Sequence, residues 1–300
     1  MSIVTNFNAV PSRLFSVYAA VADAENGLVR EQLEAWATPP SLSTRGGNDE
    51  DGGSSALFTN SLNEVRRLGL IEEDGDRVRI PPAVRAGGAR GAGSGRETEF
   101  LGHMRDILFD PDRAADAGQA GVLYALAWFL TKSPLEPLSF SDAPQNLLRD
   151  DLGAFAPKAE LSSTSSYQNL LYWARYLGFA IILGDGATRR VFPDPSKAIA
   201  AVLEKALPDG DWVDVDTFLS RLAAIYPVLE GGGIREEVEG VRTAPPPADD
   251  RLSVASSLAL QRLADRGAIT LDAVADAKAR ILDLGSGTKR VSRVRREPAA

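Results

Sequence analysis

Arginine returns at one kind of place in this chain. Arg77 and Arg79 alternate with Val78 and Ile80. On a strand, residues two apart share a face, so both guanidiniums are expected on one exposed side. Arg189 and Arg190 open a second short β-rich stretch. Lys289, Arg290, Arg293, Arg295 and Arg296 crowd a third, with no acid between Thr288 and Arg296. Cationic side chains on hairpin strands are what phosphate contact by a wing requires. Strand edges also carry charge simply to prevent aggregation, so both readings stand for the first two stretches. The third favours nucleic acid. Asn63, Arg66 and Arg67 lie on the helix before the first stretch, with side-chain types that reach base edges or phosphates. These twelve residues form the candidate nucleic-acid-binding set.

Other chemistries fit less well. The chain has no cysteine and one histidine, His103. That excludes disulfides, thiolate metal sites, cysteine nucleophiles and multi-histidine metal sites. A lone histidine without an identifiable nucleophile or carboxylate partner reads as structural rather than as a general base. Asp209, Asp211, Asp214 and Asp216 match no EF-hand spacing and read as a loop followed by a helix N-terminus, where acids favour the dipole. Asp110-Pro111-Asp112 reads as a turn and cap in the same way. The glycine-rich stretches at 87–95, 231–233 and 284–287 lack the lysine and hydroxyl of a phosphate loop, or the strand and helix that would flank one. The expectation is a non-enzyme without metal or cofactor.

The elements that must position the arginines share one grammar. Tyr167 to Pro195 reads as a helix, a stop at Gly178, a strand over Phe179–Leu183, a turn at Asp185-Gly186 and a return strand from Arg189 to Phe192. Ser61 to Pro81 repeats it around Gly69 and Asp74-Gly75. Leu258 to Arg296 repeats it around Gly267, with a hairpin turn at Gly285-Ser286-Gly287. Earlier helices are expected at Pro11–Ala24, Leu28–Trp36 and Ala56–Leu68, with a loop at 44–55. Further helices are expected at Glu97–Phe109, Gly118–Lys132, Lys197–Leu207, Val215–Ile225 and Val254–Asp265. A linker is expected at 84–95 and a long polar excursion at 230–250. The fold class is α+β, mostly α: three tandem winged helix-turn-helix modules with β-hairpin wings. The boundaries fall at 1–95, 96–195 and 196–300, the last carrying the basic wing.

Charge and hydropathy set limits. A net charge of −8 argues against a strong non-specific nucleic-acid binder, although a local basic patch can exist on an acidic protein. The longest apolar run, Gly121 to Leu130, is too short to span a bilayer. The opening MSIVTNF shows no basic n-region and apolar h-region. A cytoplasmic protein with no membrane partner is expected.

Several passages together carry a resemblance. They are Pro11-Ser12-Arg13-Leu14 with the Tyr18 helix, Leu62 to Glu73 leading into Val78-Arg79-Ile80, Ala125 to Leu130, Trp173 to Phe179, and the closing helix–glycine–hairpin. The layout resembles DpdG-type proteins, accessory components of bacterial deazaguanine DNA-modification and restriction clusters. The resemblance implies a non-catalytic part of a phage-defence or DNA-modification machine, working beside helicase, nuclease or ATPase subunits. It brings no catalytic residues with it. Two functions are expected from it. One is a DNA-binding adaptor whose last wing contacts phosphates. The alternative is a protein-interaction scaffold whose modules dock a larger subunit without binding DNA.

Overall fold

The computed structural model describes residues 2–37, 53–87, 95–142, 144–208 and 210–298, with the side chains of 53–55 and 86–87 excluded. Most of the expected 44–55 loop, much of the 84–95 linker and Asp209 therefore lie outside the described residues. The protein is α+β, about half helical, with small antiparallel sheets. Its contacts divide it into two compact units, Met1–Gln119 and Ala120–Ala300.

In the first unit, α1 (Pro11–Ala22) starts with proline in its first turn, where the missing N–H costs nothing. It buries Leu14, Val17, Tyr18 and Val21. Leu28-Val29 form strand β1 ahead of α2 (Arg30–Ala37), rather than the first turn of a helix beginning at 28. Gly27 decides this: its φ is +72°, and a Cβ there would lie 2.6 Å from the Val78 carbonyl oxygen. The chain can therefore run close beside the strand that contains Val78. α3 (Gly53–Arg67) buries Phe58, Leu62 and Val65. It is followed by β2 (Glu72–Asp74) and β3 (Arg77–Arg79), and the sheet order is β1-β3-β2. α4 (Pro82–Gly87), α5 (Arg96–Leu108) and α6 (Pro111–Asp116) complete the unit, with Asp110 capping α6 as expected.

The second unit begins with α7 (Ala120–Leu130), which is apolar nearly all round and buried accordingly. β4 (Leu138–Ser139), α8 (Gln145–Leu152) and a 3₁₀ segment at Gly153–Ala159 come next. α9 (Thr164–Leu177) opens with a capping box between Ser163 and Ser166. β5 (Ala180–Leu183) and β6 (Arg190–Pro193) join β4 in the order β4-β6-β5. The turn between β5 and β6 is not the expected two-residue turn at Asp185-Gly186. A 3₁₀ turn at Gly186–Thr188 fills it, held by Thr188 donating its N–H (3.0 Å) and hydroxyl (2.8 Å) to the Asp185 carbonyl.

The expected helix at 197–207 is two short pieces, α10 (Ser196–Ala200) and α11 (Leu203–Ala206). Strand β7 (Val213–Asp214) leads into α12 (Val215–Ile225), which Asp214 caps. The 230–250 stretch, expected as a polar excursion, contains a helix, α13 (Gly233–Val241). Its Ile234 and Val238 are buried at helical spacing, a signal diluted by the glutamates around them. α14 (Val254–Asp265) then precedes β8 (Ile269–Asp272), β9 (Arg280–Asp283), β10 (Thr288–Val291) and β11 (Arg293–Arg296).

The three stop glycines behave alike. Gly69, Gly178 and Gly267 have φ of +70°, +94° and +68°. In each case the next N–H reaches back to the carbonyl five residues earlier: Leu70 to Val65, Phe179 to Ala174 and Ala268 to Leu263. The glycine N–H bonds three residues back, to Arg66, Arg175 and Ala264. This is the Schellman arrangement, and glycine supplies its left-handed residue. The strands beyond the three glycines pair differently. β2–β3 and β5–β6 are consecutive hairpins, but β8 does not pair with the next strand. It pairs with β11, while β9 pairs with β10.

Candidate nucleic-acid and docking surfaces

The basic stretch at 288–296 is not one wing strand. β10 pairs with β9 through Val291, and β11 joins β7 and β8 in a separate sheet from Arg293. Ser292, buried between them, makes the transfer: its hydroxyl accepts from Val274 N–H at 2.8 Å. Lys289 and Arg290 therefore belong to one sheet, and Arg293, Arg295 and Arg296 to another.

Most of these cations are already engaged. Arg293 donates to Asp272 (2.6 Å) and Arg295 to Glu297 (2.9 Å). Both guanidiniums also lie over the Trp212 ring, at 4.4 and 4.9 Å from its centre. The Asp272 carboxyl is held below the usual carboxylate range, chiefly by the Arg293 hydrogen bond. The Glu297 carboxyl is held low by bonds from Thr270 and Arg295. Arg296 donates to the carbonyls of Leu207 and Pro208, both at 3.0 Å. On β10, Lys289 reaches the Gln261 side-chain oxygen (3.1 Å), and Arg290 the carbonyls of Ala275 and Ala277. Neither has an acid in its described contacts.

The first unit is more fully neutralised. Arg77 and Arg79 do share the exposed face expected of them, with Val78 buried between. The antiparallel register sets Glu72 opposite Arg79 and Asp74 opposite Arg77. Arg79 bonds Glu72 (2.7 Å) and Asp74 (3.1 Å), while Arg77 reaches the carbonyls of Asn26 and Gly27. Arg66 and Arg30 both bond Glu73, at 2.8 and 3.0 Å. Arg67 bonds the buried Glu64, which also accepts from Gln119. Asn63 is exposed on α3. The two-residue connection is Gly75-Asp76, one residue beyond the expected Asp74-Gly75, and it sets Glu72–Asp74 across from Arg77–Arg79.

Arg189 and Arg190 diverge. Arg189 stacks over Phe140, 4.5 Å from the ring centre, and Arg190 is exposed, bonding among the described residues only the carbonyls of Ala187 and Arg189. The helices before the second and third hairpins offer few readers. Arg262 of α14 bonds the buried Asp194, and Gln261 bonds Asp265 at 2.6 Å.

The carboxylates weighed as metal ligands are engaged within the fold, and the histidine weighed as a general base is buried. Asp214 caps α12 and accepts from the N–H groups of Asp216 and Thr217. Asp216 bonds Lys278 and Arg280; burial pushes its carboxyl up, but these two cations outweigh it and hold the carboxyl low. His103 packs edge-on to Tyr18 at 5.9 Å, its Nε2 is buried without a hydrogen-bond partner, and burial lowers its pKa. One ionic cluster was missed from sequence. Asp151 accepts from the Trp128 indole (3.0 Å), Arg242 (3.2 Å) and Lys132. Burial alone would raise the Asp151 carboxyl, but Lys132 and Arg242 hold it below the ordinary range. Among the described residues no helix is long and apolar enough to cross a membrane.

A family model described as DpdG-like matches residues 1–277. No curated protein and no solved structure matches the chain. The chain belongs to the DpdG-like family, and membership points to a role in the bacterial deazaguanine DNA-modification system, which comprises several proteins.

Proposed function

We propose that this DpdG-like chain is a non-catalytic accessory subunit whose helix–glycine–strand units are winged-helix modules used mainly to dock protein partners. One observation carries the choice of protein over DNA. The arginines placed to touch phosphate are satisfied inside the chain, by carboxylates at Arg66, Arg67, Arg79, Arg293 and Arg295. A phosphate would have to displace each carboxylate, and the counterion release that drives DNA association would shrink to match. The net charge of −8 works in the same direction. The uses found for Asp214, Asp216 and His103 support the non-catalytic part.

The DNA-adaptor reading keeps one favourable observation. Among the described residues, Lys289, Arg290 and Arg296, like Arg77 and Arg190, bond only neutral oxygens, and Arg189 lies over Phe140. Fluorescence anisotropy of labelled duplex and single-stranded DNA at stepped salt separates the two. Docking without DNA expects no binding at physiological salt and a shallow salt slope at low salt. A steep slope that falls by about one to two units in Lys289→Ala/Arg290→Ala, each neutralised phosphate contact contributing roughly 0.9, overturns it in favour of the adaptor.

A further inference from the structure

The outward face of the β4-β6-β5 sheet is unusual for a wing. Register places Ile181 opposite Phe192, and Leu183 and Ser139 each opposite Arg190, so these five residues share one face. Ala180 and Val191 are buried on the other face. Ile181 is 37% exposed and Leu183 56%, against the near-complete burial of comparable side chains in the core. Exposed strands normally carry charge on such a face. β5 is also an edge, pairing only with β6 among the described residues. Asp194 N–H bonds the Phe179 carbonyl (2.9 Å). Antiparallel pairs alternate between bonded and non-bonded, so Ile181 and Leu183 turn their backbone groups to β6, and Ile182 turns its N–H and carbonyl outward. Pro193, which has no N–H, falls at the non-bonded pair with Ala180.

We infer that this edge and face receive an extended acidic–apolar segment of another protein, added as a fourth strand beside β5. The inference rests on the docking reading and names its site. Charge selects the occupant. Arg190 shares this face with the apolar residues and contacts no carboxylate among the described residues. A strand that places apolar side chains over Ile181 and Leu183 and a carboxylate near Arg190 satisfies both halves of the surface. A second copy does not. Ala180–Leu183 contains no acid, so β5 against β5 leaves every arginine uncompensated. Nucleic acid would leave Ile181 and Leu183 facing phosphate or water.

The test uses the full chain, co-expressed with the other proteins of the deazaguanine system. A benzoylphenylalanine photo-crosslinker replaces Ile181, and in separate preparations Asn63 or Arg290. Mass spectrometry maps the crosslinked peptide, and circular dichroism checks that each variant folds. The expected result is a crosslink from position 181 to a carboxylate-bearing segment of another subunit. Arg190→Glu should reduce its yield about tenfold, the loss of one charge-assisted contact. A crosslink to a second copy, to nucleic acid or to a segment without acids overturns the inference. So does an empty position 181 while 63 or 290 captures a subunit, and in that case protein docking survives at another surface. Failure of all three positions to capture protein overturns both.

Discussion

Gly178 and Gly267 end their helices with the same motif in the same unit, yet their surroundings predict different costs for one substitution. At Gly267 an added Cβ meets nothing within 4 Å. Gly267→Ala then costs only the left-handed backbone strain, about 1–2 kcal/mol, part of it offset by the roughly 0.4–1 kcal/mol that alanine removes from unfolded-state entropy. At Gly178 the same methyl lies 2.9 Å from the Ala198 N and 3.0 Å from Lys197 Cβ. Ala198 N–H donates to the Gly178 carbonyl at 3.1 Å, so the start of α10 cannot withdraw without breaking that bond. Overpacking of this kind adds about 1–3 kcal/mol. The difference between the two variants is therefore about 2 kcal/mol. With a urea slope of roughly 2 kcal/mol/M, Gly178→Ala should unfold about 1 M earlier than Gly267→Ala. Trp128 and Trp173 are both fully buried in this unit and report the transition by fluorescence. Equal midpoints would refute the reasoning, because they would mean that α10 does not press on Gly178.

Three other outcomes are expected from buried charge. Asp151→Ala strands Lys132 and Arg242 with little solvent; a loss of about 3–5 kcal/mol is expected in urea unfolding, against little change for the exposed Asp185→Ala. Because the Asp151 pKa is lowered on folding, its contribution is present above the ordinary carboxylate value of 3.8 and is lost as pH falls through the folded value. A pH series of unfolding midpoints should show that acid loss in the wild type and not in Asp151→Ala. His103 shifts the same way for a different reason. Burial lowers its pKa against the raising influence of Glu99 and Asp106, with Arg113 lowering it further, so the folded state holds it neutral. Stability should be full above the ordinary value of 6.5 and decline as pH falls below it, and His103→Phe should flatten that part of the profile.

Local signals determined much of this protein from sequence. The stops at Gly69, Gly178 and Gly267 and the aspartates before α6 and α12 act within one or two turns, so residue type and spacing suffice. The burial of α7 came from an unbroken apolar run, and the shared face of Arg77 and Arg79 from strand alternation. Resemblance to the DpdG family was legible because it rests on scattered apolar and glycine positions along most of the chain. Tertiary structure alone decided the fate of the charges. Whether Arg293 faces a phosphate or Asp272 depends on β11 leaving the β9–β10 hairpin to pair with β8. That pairing joins residues some twenty positions apart, and no local preference encodes it. Asp151, Lys132 and Arg242 meet for the same reason, from three separate parts of the chain. A basic stretch in sequence states only that charge is present; the strand pairing determines what neutralises it.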